Sequence, residues 1–225
     1  TDVTWSSSNS TIASVNATGV VTGVSVGGPV TITATSKTKT NVKGTATVTV
    51  VGVGVTEITV DKNPITMTIG ESETVTATVL PANATNKSVA WSTTNSAIAT
   101  VTNGVIASQG VGSCTIRVTS NDNSSKYVDI PVTVKPIAVT SVSVTPKTVS
   151  LVDKASTTLS ATVLPSGAEQ GVSWSSANTN IATVANGIVT ATGVGSTTIT
   201  VTSTSDNTKS DICVVTVTPK LVESI

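Results

Sequence analysis

One phrase built around tryptophan occurs three times. It reads Val-Thr-Trp-Ser-Ser-Ser-Asn at residues 3–9, Val-Ala-Trp-Ser-Thr-Thr-Asn at 89–95 and Val-Ser-Trp-Ser-Ser-Ala-Asn at 172–178. These phrases hold the chain's only tryptophans, Trp5, Trp91 and Trp174, so one position recurs about every 85 residues. That period is too long for a solenoid unit and suits one small β-domain per repeat. The sequence therefore describes an array of similar modules.

The second repeat can be followed over residues 55–134 and the third over 139–217. The first, residues 1–50, lacks the opening third that residues 55–84 supply in the second. At the far end, Val222-Glu-Ser-Ile225 matches Val55-Thr-Glu-Ile58, so residues 222–225 are expected to begin a further repeat. The expectation is of a window within a longer polypeptide. The rival is a first module completed by a strand from another chain, which would make its open sheet edge a site of assembly. Either way, the first module is expected to be the least stable. The connections are short: Val51-Gly-Val-Gly54, Lys135-Pro-Ile-Ala138 and Thr218-Pro-Lys-Leu221. Proline stiffens the second and third, and the two glycines predict a softer joint near Gly52 and Gly54.

About a third of the residues are Ser or Thr, and Phe and His are absent. Val and Thr are β-branched and favour extended backbone. They alternate in runs such as Thr45-Ala-Thr-Val-Thr-Val50 and Thr197-Thr-Ile-Thr-Val-Thr202, which places aliphatic side chains on one face and Thr on the other. The fold class predicted is all-β: tandem Greek-key sandwiches of antiparallel strands, about seven per complete repeat. Asn103-Gly104 and Asn186-Gly187 lie between short apolar runs and predict two-residue hairpin turns, because both residue types accept positive φ. Each tryptophan is expected in a core, where an indole buries roughly 150–250 Å².

Around the tryptophans runs a further pattern. Trp5 to Asn9 is followed by Ile12-Ala-Ser-Val15, Gly19-Val-Val-Thr22 and Thr31-Ile-Thr-Ala34. The second repeat has Ile98-Ala-Thr-Val101, Gly104-Val-Ile-Ala107 and Thr115-Ile-Arg-Val118. The third has Ile181-Ala-Thr-Val184, Gly187-Ile-Val-Thr190 and Thr198-Ile-Thr-Val201. This combination, with Ala77-Thr-Val-Leu-Pro81 and Ala161-Thr-Val-Leu-Pro165, resembles the bacterial immunoglobulin-like domain, group 2, over essentially the whole chain. The resemblance implies an immunoglobulin-like sandwich of the kind carried by bacterial surface proteins, adhesins, secreted enzymes and phage virion proteins. It brings no shared catalytic residues.

The residues themselves offer little chemistry. Without His, imidazole-based triads, metal sites and proton shuttles are excluded within this window. Cys114 and Cys213 lie in different repeats with inward strand parity, and read as free, buried thiols. Asp122 and Asp206 occupy Asn- and Ser-rich turns and are the calcium candidates, although one carboxylate per turn falls short of a full site. No cofactor is implied. Net charge is zero, with one Arg and one Tyr, which argues against nucleic acid as a partner. Tyr127 alone is a thin basis for stacking on sugars.

The function expected is that of a non-catalytic structural or adhesive array. It would be a stalk or spacer of a larger bacterial cell-surface protein, extracellular, holding out a distal unit that meets a glycan or protein ligand. One alternative is a phage virion protein whose modules decorate a capsid, tail or fibre and aid attachment to the host surface. Another is a set of accessory modules of a secreted polysaccharide-active enzyme.

Overall fold

The computed structural model describes residues 2–221, and the matched start of a further repeat at 222–225 lies outside them. Five strands come from the first repeat: β1 (Val3–Ser7), β2 (Ala13–Val15), β3 (Val21–Gly23), β4 (Gly27–Ser36) and β5 (Lys43–Val50). The second repeat opens with β6 (Glu57–Val60), β7 (Ile65–Thr68), β8 (Ser72–Thr74) and β9 (Ala77–Leu80). It continues with β10 (Val89–Thr93), β11 (Ala99–Thr102), β12 (Val105–Ser108), β13 (Gly112–Ser120) and β14 (Tyr127–Lys135). The third repeats this plan with β15 (Ser141–Thr145), β16 (Thr148–Val152), β17 (Ser156–Thr158) and β18 (Ser160–Leu164). Its remaining strands are β19 (Val172–Ser176), β20 (Ala182–Ala185), β21 (Ile188–Ala191), β22 (Gly195–Ser203) and β23 (Ser210–Thr218).

Among the described residues, all strand pairing stays within a repeat. In the second, one layer runs β10-β13-β14-β7, and the other is built from β11-β12-β8 and β6-β9. The third matches it, with β16-β23-β22-β19 facing β17-β21-β20 and β15-β18. A complete repeat thus holds nine strand segments rather than about seven, because two long strands are each broken in two. The first break falls at Pro64 and at Pro146, where a residue without an N–H interrupts the ladder. After it the chain crosses to the opposite layer and lines up beside the last strand. The result is one parallel pair per complete repeat, Val132 against Ile65 and Val214 against Thr148, where only antiparallel pairing was expected.

The turns follow their chemistry. Asn103 and Gly104 have φ of 49° and 83°, and Asn186 and Gly187 have 49° and 81°. Two successive positive φ values give the turn twist that joins β11 to β12 and β20 to β21 without splaying them.

Between the layers, alternation delivers the core. In the third repeat one cluster joins Val144, Leu159, Val163, Val189, Ile199, Val201, Cys213 and Val215 with their neighbours. The second has two clusters, bridged by Val60, Trp91 and Val128, which pack against both. In the first, among the described residues, only Ala13, Val30 and Ile32 are buried.

The joint expected to be soft is tethered. Val53 N–H donates to Thr85 Oγ1 and the Thr85 N–H to Val53 O, each at 2.8 Å. Val55 N–H donates to Asp122 Oδ2 at 2.9 Å. Its second half therefore belongs mechanically to the second repeat. In the next connection Ile137 packs against the core of the third.

Candidate functional site: the outer sheet faces

The tryptophans stand on β1, β10 and β19, directly opposite Ala34, Val118 and Val201 of the neighbouring strand. Each is half-buried and packs on its own repeat's core. The indole rings also lie beneath the turn glycines. A Cβ added at Gly19, Gly104 or Gly187 would lie 2.7, 3.3 or 3.4 Å from the Cζ2 of Trp5, Trp91 or Trp174 respectively. The ring thus ties the strand carrying it to the hairpin of the facing layer. Trp5 differs in one respect: its Nε1 is buried without a hydrogen-bond partner.

Asp122 and Asp206 do not occupy equivalent positions. Ser120 Oγ accepts the N–H groups of Asp122 and Asn123, and Ser203 Oγ accepts those of Ser205 and Asp206. Asp206 therefore corresponds to Asn123, and both close their own turns, accepting from Thr208 and Ser125 in the same way. These Thr208 hydrogen bonds hold the Asp206 carboxyl below its ordinary range. Asp122 instead caps Val55. Among the described residues, no three of His, Cys, Asp and Glu gather closely enough to hold a metal ion. Cys114 and Cys213 are free and buried, and burial pushes the Cys213 thiol upward.

The outer faces of the long sheets are where the repeats differ. In the first, Ser6, Thr33 and Thr45 form one cross-strand row. In the third the same row is Ser175, Thr200 and Ile212. In the second it is Ser92, Arg117 and Asp129. Arg117 Nε and Nη2 donate to Asp129 Oδ1 and Oδ2 at 2.6 and 2.7 Å. The guanidinium carbon also lies 4.0 Å from the centroid of the Tyr127 ring, which is 48% exposed. The chain's single Arg and single Tyr are thus stacked on one another. The Arg117 hydrogen bonds lower the Asp129 carboxyl and raise the guanidinium. Beside the pair lies a shallow depression lined by Ser92, Thr93, Thr94, Thr115, Arg117 and Asp129. Sequence spacing did not announce this cluster; only the register of β13 against β14 brings it together.

The profile of the bacterial Ig-like domain (group 2) matches residues 1–50, 54–130 and 138–215. The chain belongs to this family. Among curated relatives it is 36% identical to an Ig-like virion protein of Serratia phage KSP90, over 71% of this chain and 64% of that protein. It is also 36% identical to ice-binding protein 1 of Shewanella frigidimarina, over 93% of this chain and 24% of that protein. The chain thus spans less than two thirds of either relative. Among solved structures, domains 1–6 of the surface layer protein SbsC align with 98% of this chain and 35% of that one. The identity is 21% and the TM-score 0.38. Among the described residues there is no helix long and apolar enough to cross a membrane.

Proposed function

We propose that the chain is a non-catalytic structural array carried on an outer surface, divided into folding units at 1–50, 55–134 and 139–217. It serves as a stalk or spacer that displays a distal unit of a larger bacterial surface protein. The observation that supports this is one sandwich plan recurring along the chain, joined by connections of four residues. Threonine-rich outer faces give such a rod a neutral, hydrated coat.

A second reading places the array on a phage particle, decorating a capsid, tail or fibre. The phage virion relative favours it, since it matches 71% of this chain at 36% identity.

Immunogold labelling with an antibody to these residues, on intact source cells and on particles they release, tests both. Label along the envelope supports the stalk, and label on virions supports the decoration. Antigen found only in soluble secreted material, with polysaccharide-degrading activity in the same polypeptide, would contradict both.

A further inference from the structure

We propose that the outer face of the second repeat, at Tyr127, Arg117 and Asp129, is a binding platform for a neutral saccharide. This goes beyond the display reading, which stands or falls without it.

The first support is comparison within the chain. The same sheet is built in the third repeat with Ser210, Thr200 and Ile212 at the positions of Tyr127, Arg117 and Asp129. The first repeat uses Lys43, Thr33 and Thr45. The fold therefore does not require this trio, and it stands at one place only.

The second is chemistry. Arg117 and Asp129 neutralise each other, so the patch offers no free charge for a phosphate or a polyanion. Hydrogen-bonding capacity remains nonetheless. A guanidinium has five N–H donors, of which two are used here, and a carboxylate keeps further lone pairs. Leftover donors and acceptors thus sit side by side, as a vicinal diol needs, since each sugar hydroxyl both donates and accepts. The flanking Ser92, Thr94 and Thr115 hydroxyls extend that surface.

The third is geometry. Arg117 and Asp129 side chains are 46% and 41% exposed, so they are reachable while fixed by their mutual bidentate contact. Arg117 covers one face of the Tyr127 ring, and the ring surface left exposed, with Tyr127 48% accessible, offers an apolar plate to the C–H face of a pyranose. Around the pair the depression is lined by the Ser92, Thr93, Thr94 and Thr115 side chains, a hydroxyl-rich rim that suits a hydroxylated ligand.

The test is a ¹H–¹⁵N correlation titration of the full 225-residue chain. The probes are methyl glycosides of glucose, galactose, mannose and N-acetylglucosamine, then maltotriose and cellotriose, with inorganic phosphate alongside. The expected result is fast-exchange shifts confined to Ser92, Thr115, Arg117, Tyr127 and Asp129 with at least one sugar and none with phosphate. The shifts should vanish in Tyr127→Ser and in Arg117→Thr with Asp129→Ile, which borrow the third repeat's residues and so keep the sheet. The proposal is overturned by silence with every sugar, by shifts spread over matching faces of all repeats, by shifts that survive the substitutions, or by a response to phosphate. The labelling experiment reads none of these outcomes, so the two readings fail separately.

Discussion

Residues 2–50 and 139–217 share a plan, and the difference between them shows what the opening strands of a module do. β1 to β5 correspond to β19 to β23 strand for strand. In the third repeat β16 lies along β23 and β17 along β21. Among the described residues nothing takes those places beside β5 and β3. The consequences reach the core. Val144, Leu151, Leu159 and Val163, all from the opening segment that the first repeat lacks, are buried in the third repeat, and the described part of the first buries only Ala13, Val30 and Ile32. Apolar burial is worth roughly 25 cal/mol per Å², so the two modules cannot be equally stable. Trp5 Nε1 belongs to the same contrast, because a buried donor without a partner carries a desolvation penalty that nothing repays.

The largest way to sharpen this contrast is to remove the indoles. Trp174→Ala and Trp91→Ala are each expected to cost about 3 kcal/mol or more, since each ring bridges a strand and the facing hairpin. Trp5→Ala, in a module with three buried residues, should cost clearly less. Urea titrations followed by circular dichroism would show it. The native emission of Trp91 and Trp174 should be blue-shifted.

Next comes Gly104→Ala, expected to cost about 3 kcal/mol. Its φ of 83° disfavours a side chain, and the new Cβ would collide with the Val75 carbonyl oxygen beside Trp91. Gly70→Ala is the control, with φ of 91° and open space around the Cβ, and should cost about 1 kcal/mol. Equal thermal shifts for the two would show that strain alone, and not the fit of turn on strand, decides the effect.

Asp211 closes the third module in a way the first has no counterpart for. Its Oδ2 accepts the buried Val144 N–H at 2.6 Å and pairs with Lys147, joining β15 and β23. The Lys147 contact leads in holding this carboxyl below its ordinary range, against the opposing effect of burial. A carboxyl with a lower value folded than unfolded stabilises the fold in its ionised form. That contribution is complete above about pH 4 and is lost as pH falls through the folded value. Asp211→Ala should cost about 1–3 kcal/mol at neutral pH by leaving Val144 N–H unpaired. Asp211→Asn should flatten the acid limb of the stability profile, and an unchanged limb would assign it to other carboxylates.

The smallest effect belongs to the outer face. Arg117→Thr with Asp129→Ile should leave the unfolding midpoint of the second repeat nearly unchanged, because exposed ion pairs contribute little. A large loss would make the pair a structural clamp.

Much of this was legible in the sequence. The tryptophan phrase marks the repeats, Val–Thr alternation marks strands and faces, and Asn103-Gly104 and Asn186-Gly187 mark their hairpins. The parallel strand was missed, although its signal was present in Pro64 and Pro146, because alternation on either side reads as one uninterrupted strand. The tether at Asp122 was missed since it spans 67 residues to Val55. Two glycines suggested softness, and the partner waiting at Thr85 has no local signature. Asp122 and Asp206 were legible only as turn residues; their different partners follow from the Ser120 and Ser203 hydroxyls, which set the frame of each turn. Arg117, Tyr127 and Asp129 lie within thirteen residues of sequence, yet only the β13–β14 register makes them neighbours.

Site-resolved amide hydrogen exchange on the dilute monomeric chain tests the central contrast most directly. Slow exchange, through global opening only, is expected in β13, β14, β22 and β23, and exchange faster by orders of magnitude in β4 and β5. Protection across Trp5 to Val50 equal to that of the third repeat would contradict it.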